Sequence, residues 1–287
     1  MAQEGVDVEV LLVDDRSTDG SRESLESLRG PLVKLLDGPG VGPSGARNHA
    51  LPQVSTPWVA FLDDDDLWAP RKLRHLADLA GSAGFGFSSA IVTDSEGRPM
   101  RVDDAPDPKH LERQLLRRNV IGTPSVVVAR AELLRELGGF DERLSVIGDW
   151  ELWLRLAAVA PAFAATEQLT AYTVHTSSIS VRETGALEGE LRYLLEKHRD
   201  LFRRTGARVD MDWFVQWKAQ SLIGRGQRLA AAGTLLHEAV RGRSSRSLLR
   251  AGRVLSGERI ASRLRPPAPP PAWPAWLGRY YAKPGSV

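Results

Sequence analysis

Four consecutive aspartates, Asp63-Asp64-Asp65-Asp66, follow directly on the apolar run Trp58-Val59-Ala60-Phe61-Leu62. Carboxylates crowded at a strand end repel one another and are costly to ionise together. A divalent cation relieves that repulsion, and hard oxygen ligands suit Mg2+ or Mn2+. The run equally suits an acidic turn capping the helix expected from about Pro70, since helix N-termini favour aspartate. A second acidic pair, Asp14-Asp15, closes the apolar run Val8 to Val13, and Asp149 opens the segment Asp149-Trp150-Glu151-Leu152-Trp153-Leu154-Arg155. Asp14 and Asp15 could each do no more than cap the next helix, and so could Asp149. Arg47 stands in Gly45-Ala46-Arg47-Asn48 after a Gly-rich loop, where it either meets phosphate or is simply solvated. His175 ends Tyr172-Thr173-Val174-His175. No GxSxG, P-loop lysine or HExxH is present, so no covalent nucleophile or zinc-hydrolase constellation competes for the chemistry.

These residues need a scaffold that places strand ends together, and the pattern supplies one. Val8 to Val13 reads as a buried strand, followed by turn and capping residues Asp15-Arg16-Ser17-Thr18-Asp19-Gly20 and a helix marked by Leu25 and Leu28. A strand over Leu32 to Leu36, a helix over Ser44 to Leu51, the strand Trp58 to Leu62 and a helix over Pro70 to Ala80 continue the alternation. Strand–helix alternation predicts an α/β fold with a mostly parallel sheet flanked by helices, which binds ligands at its strand ends. Further on, Gly84 to Thr93 and Ser125 to Ala129 read as strands around a turn at Ser95-Glu96-Gly97-Arg98. Leu111 to Arg117 and Leu133 to Leu137 read as helices. Trp150, Trp153, Leu154 and Ala157 recur at helical spacing, so the tryptophans belong to the core before they belong to an acceptor site.

With 287 residues, 42% hydrophobic and 26% charged, the composition is that of an ordinary globular protein. The absence of cysteine excludes disulfides, zinc–thiolate sites and thiol catalysis. No run approaches the roughly 18 apolar residues of a membrane span, and the N-terminus lacks the pattern of a signal peptide, so a cytoplasmic location is expected. A net charge of +2 gives no footprint for nucleic acid. Charge is unevenly spread, however: beyond residue 240 ten Lys or Arg stand against one acid, Glu258.

Taken together, five stretches resemble the family 2 glycosyltransferases with the GT-A fold. They are Val13-Asp14-Asp15-Arg16-Ser17-Thr18-Asp19, Gly45-Ala46-Arg47-Asn48, Phe61-Leu62-Asp63-Asp64-Asp65-Asp66, Gly138-Gly139-Phe140-Asp141-Glu142 and Gly148-Asp149-Trp150-Glu151-Leu152-Trp153-Leu154-Arg155. They occur in the family's order over about residues 6 to 182. The resemblance implies an inverting glycosyltransferase that moves a sugar from a nucleotide-sugar, UDP-linked, to a glycan, lipid-linked or small-molecule acceptor, as in polysaccharide biosynthesis. It implies that Asp15, with Asp14 beside it, accepts a hydrogen bond from the base, and that Arg47 lies near the diphosphate. Asp63 and Asp65 fit the DxD pattern, Asp65 as the direct ligand of Mn2+ or Mg2+, with Asp64 sharing the nucleotide-sugar site. Asp149 matches the general base, and His175 falls where a late histidine contacts metal or phosphate.

The resemblance has one departure. Members normally begin with a strand, a Pro-Thr-Tyr-Asn-like loop and a helix ahead of the Val-Asp-Asp strand, and here that strand begins a few residues after Met1. Lacking that neighbour, inner strands are expected to keep unmet backbone groups. The expectation is that the native chain starts upstream; the alternative is a non-catalytic homologue serving as a binding or scaffolding protein. The predicted organisation is a catalytic domain over 1–185, a helical segment over 186–264 and a Pro/Trp-rich, extended tail over 265–287. The basic stretch Arg241 to Arg265 with the tail tryptophans suits either a solvated surface or peripheral contact with an anionic membrane. Specificity is expected from loops around 94–125 and 176–190.

Overall fold

The structure is a computed structural model describing residues 3–175, 185–242, 245–256 and 271–281. Residues 176–184 of an expected specificity loop lie outside the described residues, as do 257–270, the end of the basic stretch and most of the Pro-rich run. The chain forms two compact units. One comprises residues 1–115, 119–173 and 273–287, and the other residues 116–118 and 174–272.

In the first unit the chain runs β1 (Val10–Asp14), α1 (Ser21–Glu26), β2 (Val33–Asp37), α2 (Pro43–Ala50), β3 (Trp58–Ala60), β4 (Leu67–Trp68) and α3 (Lys72–Ala80). It continues with β5 (Phe85–Asp94), β6 (Pro99–Asp103), α4 (Leu111–Leu115), β7 (Val127–Arg130), α5 (Ala131–Glu136), α6 (Gly148–Val159) and β8 (Ala162–Val174). β1 and β2 pair in parallel as a two-stranded sheet, and a six-stranded sheet has the order β3-β7-β5-β8-β4 with β6 on β5. The α/β class is as expected, with fewer parallel neighbours: β3–β7, β5–β7, β5–β6 and β4–β8 are all antiparallel. At the β5–β6 turn the reason is local. Asp94 Oδ1 accepts the N–H groups of Glu96 and Arg98 at 3.0 and 2.9 Å, and Gly97 adopts φ 76°, which returns the chain at once.

β1 was expected to be fully buried, and it is not. Val10 is 37% exposed and Leu11 to Val13 are half-buried; among the described residues β1 pairs with β2 alone. By contrast Phe85, Phe87, Ile91 and Val92 of β5 are buried from both faces. Leu76 and Ala80 of α3 pack with Val128, Phe163 and Ala165 beneath β3 and β7, joined by Trp58. Leucine, valine and phenylalanine side chains such as these contribute about 1.5–3 kcal/mol each on full burial. α6 is a core helix: Trp150, Leu152, Trp153, Leu154 and Leu156 are all fully buried. The tail departs from expectation. Trp273, Trp276, Leu277 and Tyr281 pack against Leu67, Ile91 and Ala171, and Trp276 Nε1 donates to Gln168 O at 2.8 Å.

The described part of the second unit is helical: α7 (Leu187–Lys197), α8 (Arg199–Thr205), α9 (Met211–Gly224), α10 (Arg228–Arg241) and α11 (Ser245–Ser256). Leu187, Leu191 and Leu194 form the buried stripe of α7. Val215, Ala219 and Leu222 of α9, Ala231 and Leu235 of α10 and Ala251 of α11 form one core.

Candidate active site

The short helix α2 collects the first unit's polar motifs. Before it, both carboxylate oxygens of Asp15 are engaged: Gly40 N–H donates to Oδ1 at 2.6 Å and Gly42 N–H to Oδ2 at 2.7 Å. Within it, Ser44 Oγ donates to Leu144 O at 3.0 Å, and Arg47 forms an ion pair with Asp63 while stacking on Phe140. Asn48 clamps the backbone of Phe140, accepting its N–H at 2.8 Å and donating to its carbonyl at 2.9 Å. That clamp accounts for Gly139, whose φ is 69° and where a Cβ would meet Asn48 Oδ1. Farther along, Glu151 is fully buried and bound by Arg155, which also donates to the carbonyls of Leu137 and Gly139 at 2.7 Å each. The Glu151–Arg155 pair therefore fixes the loop that α2 grips.

The acidic run is a tight turn, with Asp66 N–H donating to Asp63 O at 3.1 Å. Asp63 N–H donates to Ser125 Oγ at 2.9 Å, and Thr123 Oγ1 donates to Asp63 Oδ2 at 3.3 Å. Behind this turn Lys72 is completely buried, its ammonium donating to Ser125 O and to Thr170 Oγ1 and lying over the Trp68 ring. Trp68 Nε1 donates to the same Ser125 carbonyl at 2.7 Å. Burial pushes the Lys72 ammonium well below its ordinary range. Asp66 is buried as well, accepting Thr173 N–H at 2.9 Å while its Oδ2 has no partner. Burial, with Asp63 and Asp65 adding repulsion, pushes its carboxyl up to about 8. Asp66 is thus the anchor of the turn, Asp64 its exposed tip, and Asp63 and Asp65 are half-buried between them.

Asp149 sits in the first turn of α6, half-buried. Its Oδ1 accepts Trp150 N–H at 2.6 Å and its Oδ2 accepts from Asn119 Nδ2 at 3.1 Å. Burial raises its carboxyl to about 7; Arg47 works against the rise and Asp63 adds to it. The same carboxylate that receives a helix N–H thus also feels the charges of Arg47 and Asp63. Tyr172 sits in the field of Asp66, Asp63, Asp65 and Asp149, and burial followed by those charges raises its hydroxyl, keeping it protonated. Trp150 and Trp153 are core, as expected, donating to Leu115 O at 2.7 Å and Gly122 O at 3.2 Å.

The first unit thus joins Arg47, Asp63 and Asp149 with Asp65 and Asp66. Asp14 serves local structure: it is buried, accepts Ser17 N–H at 3.1 Å and is held below the usual carboxylate range, chiefly by hydrogen bonding to Ser17. Asp15 holds the Gly38–Gly42 loop, one backbone donor on each oxygen, which leaves each oxygen capacity to accept a further hydrogen bond. His175 falls in the second unit. Asn119, Thr123, Ser125, Lys72 and Tyr172 were not foreseen: an isolated polar residue in a loop or a strand has no periodic signature. A cavity of about 290 Å³ between Pro108–Arg113 and Ala157–Ala162 is lined by none of the site carboxylates. Among the described residues no three histidine or acidic side chains converge to hold a metal. Mg2+ is commonly held by one or two carboxylates and completed by phosphate and water oxygens, a mode that Asp63 and Asp65 on one turn fit.

A family model described as "Glycosyl transferase family 2" matches residues 1–138. The succinoglycan biosynthesis protein ExoO of Rhizobium meliloti is 28% identical over 258 residues, covering 85% of this chain and 72% of that protein. The UDP-Glc:alpha-D-GlcNAc-diphosphoundecaprenol beta-1,3-glucosyltransferase WfgD of Escherichia coli is 41% identical over 67 residues, 23% of this chain and 26% of that protein. Among solved structures, S. aureus TarS 1–349 in complex with UDP superposes with a TM-score of 0.50 at 19% identity, covering 84% of this chain and 85% of that one. That likeness is one of fold, the GT-A fold.

Proposed function

The chain belongs to the family 2 glycosyltransferases, and from that premise we propose an inverting transfer from a UDP-sugar to an acceptor hydroxyl, with Asp149 as general base. The observation that carries this reading is Asp149 itself. A half-buried carboxyl raised to about 7, held by Trp150 N–H and Asn119, is tuned to accept a proton near neutrality. In the reaction the acceptor oxygen bonds to the anomeric carbon as the bond to the diphosphate oxygen breaks. The hydroxyl proton passes to Asp149, and no covalent enzyme intermediate is needed. Arg47 lies between Asp63 and Asp149 in charge terms, placing a guanidinium where diphosphate oxygens can exchange for the Asp63 carboxylate. Asp65, assisted by Asp63 and Asp64, would hold a Mn2+ or Mg2+ ion that neutralises charge on the departing nucleoside diphosphate. Polysaccharide assembly is the setting supported by the name of the succinoglycan relative, and a UDP donor by that of the glucosyltransferase relative.

Titration calorimetry of UDP with and without Mn2+, on the chain and on Asp65→Ala and Asp149→Asn, tests the assignment. Metal-dependent binding lost in Asp65→Ala and kept in Asp149→Asn, with transfer lost in both, is the expected pattern. Binding of UDP unchanged by Asp65→Ala overturns the assignment of the acidic turn.

A further inference from the structure

Helix α11 carries its apolar residues on the unexpected side. A helix packed on a core ordinarily turns its large apolar residues inward. Here Ser247, Ala251 and Val254 face α9 and α10, while Leu248, Leu249 and Leu255 are 55%, 68% and 55% exposed. Leu248 and Leu255 are seven residues apart and stand on one stripe, with Leu249 beside it. Next to the leucines Arg246 is exposed, and the helix contains three arginines, Arg246, Arg250 and Arg253, and no acid. The neighbouring α10 has an exposed stripe of its own, Leu229 at 80%, Leu236 at 37% and Val240 at 81%.

We propose that α11 is a surface-lying anchor for an anionic lipid bilayer, its leucines entering the headgroup–acyl boundary and Arg246 and Arg250 meeting the headgroup phosphates. The charge selects this occupant: a helix with leucines and arginines side by side and no carboxylate is complementary to an anionic apolar interface. Its geometry agrees. Twelve residues span roughly 18 Å, too short for a hydrocarbon core of about 30 Å, so the helix lies in the plane. Among the described residues no helix is long and apolar enough to cross a membrane. The small inner residues leave the helix bound to its unit while the leucines remain available. This inference does not depend on the donor-site reading above.

Flotation of the full chain with vesicles tests it, using phosphatidylcholine alone and phosphatidylcholine mixed with phosphatidylglycerol. Binding is expected to the anionic vesicles, weakening as salt rises, with little to the neutral ones. Replacing Arg246 and Arg250 together by Glu should weaken binding by about thirtyfold or more, at roughly fivefold for each lost arginine. Replacing Leu248, Leu249 and Leu255 together by Ser should remove it with an unchanged circular dichroism spectrum, the three side chains being exposed. The single variant Leu249→Trp gives an independent readout, a blue-shifted emission quenched by brominated lipid. Absence of vesicle binding by the parent chain, equal binding to neutral vesicles, or unaltered binding by both multiple variants overturns the proposal. Lipid-free self-association abolished by the Leu→Ser variant also overturns it, assigning the face to a second copy of the chain.

Discussion

Asn119→Ala is the substitution that most directly probes the assignment of Asp149. Asn119 Nδ2 donates to Asp149 Oδ2 at 3.1 Å, and its Oδ1 accepts Gly122 N–H at 2.9 Å. A hydrogen bond to a charged acceptor contributes about 1.5–3 kcal/mol. Because Asp149 is only half-buried, the lower end applies, which is about one pKa unit. Removing this donor therefore moves the carboxyl from about 7 to about 8. At pH 7 the deprotonated fraction falls from about one half to about one tenth, so transfer at that pH falls about fivefold while the alkaline plateau is kept. Carbon-13 NMR titration of aspartate carboxyls follows the shift without any substrate, with Asp149→Asn identifying the resonance. Loosening of the Asn119–Gly122 loop lowers thermal stability by about 1–2 kcal/mol but does not by itself move the titration. An Asp149 carboxyl that titrates at or below its parent value in Asn119→Ala refutes the reasoning.

Three further outcomes are expected. Asp149 is raised above its unfolded value of about 3.9, so it favours the native state at low pH and that contribution is lost as pH rises toward about 7. Asp149→Asn should therefore gain stability relative to the parent between pH 5 and pH 8 in urea titrations, and a constant difference contradicts the raised carboxyl. Lys72→Ala, at a fully buried position, should cost about 2–4 kcal/mol by cavity formation. Lys72→Met should avoid most of that loss, because it fills the space and Ser125 O keeps the Trp68 donor, so equal losses would show that the ammonium carries the stability. Gly86→Ala places a Cβ against the Phe163 ring beneath β5 and should cost about 1–3 kcal/mol; a neutral result by thermal denaturation would mean the ring gives way.

Much of this arrangement is written in local chemistry. Apolar runs ending in carboxylates mark β1 and β3, and the spacing of Trp150, Trp153 and Leu154 marks α6, because burial leaves a periodic trace. Lys72 shows where that trace fails. On an amphipathic helix a lysine reads as the solvent side, yet the Ser125 carbonyl, Thr170 and the Trp68 ring offer it enough partners to be enclosed. Strands β4 and β6 are short, two and five residues, and their pairing depends on partners far along the chain. In β8 the exposed Glu167 interrupts the apolar pattern, so its thirteen residues read as less than one strand. Asn119 and Ser125 are single polar residues whose role exists only once the loops meet Asp149 and Asp63.

The charge balance of the site is the strongest physical reason to couple donor binding to a cation. Asp63, Asp65, Asp66 and Asp149 all act on the one Tyr172 hydroxyl, so a single group feels all four carboxyls. The fold relieves each differently. Asp63 has Arg47 and Thr123; Asp66 is pushed up to about 8 and so holds its proton at neutral pH; Asp149, at about 7, is half-protonated there. Arg47 acts on both Asp63 and Asp149 and is already paired with Asp63. A nucleoside diphosphate adds further negative charge a few ångströms away, and at an effective dielectric near 20 each like-charge pair at about 4 Å costs about 4 kcal/mol. Arg47 alone does not offset several such pairs. On the proposed reading a divalent ion arriving with the donor does, and Asp65, in the same turn as Asp63, would receive it.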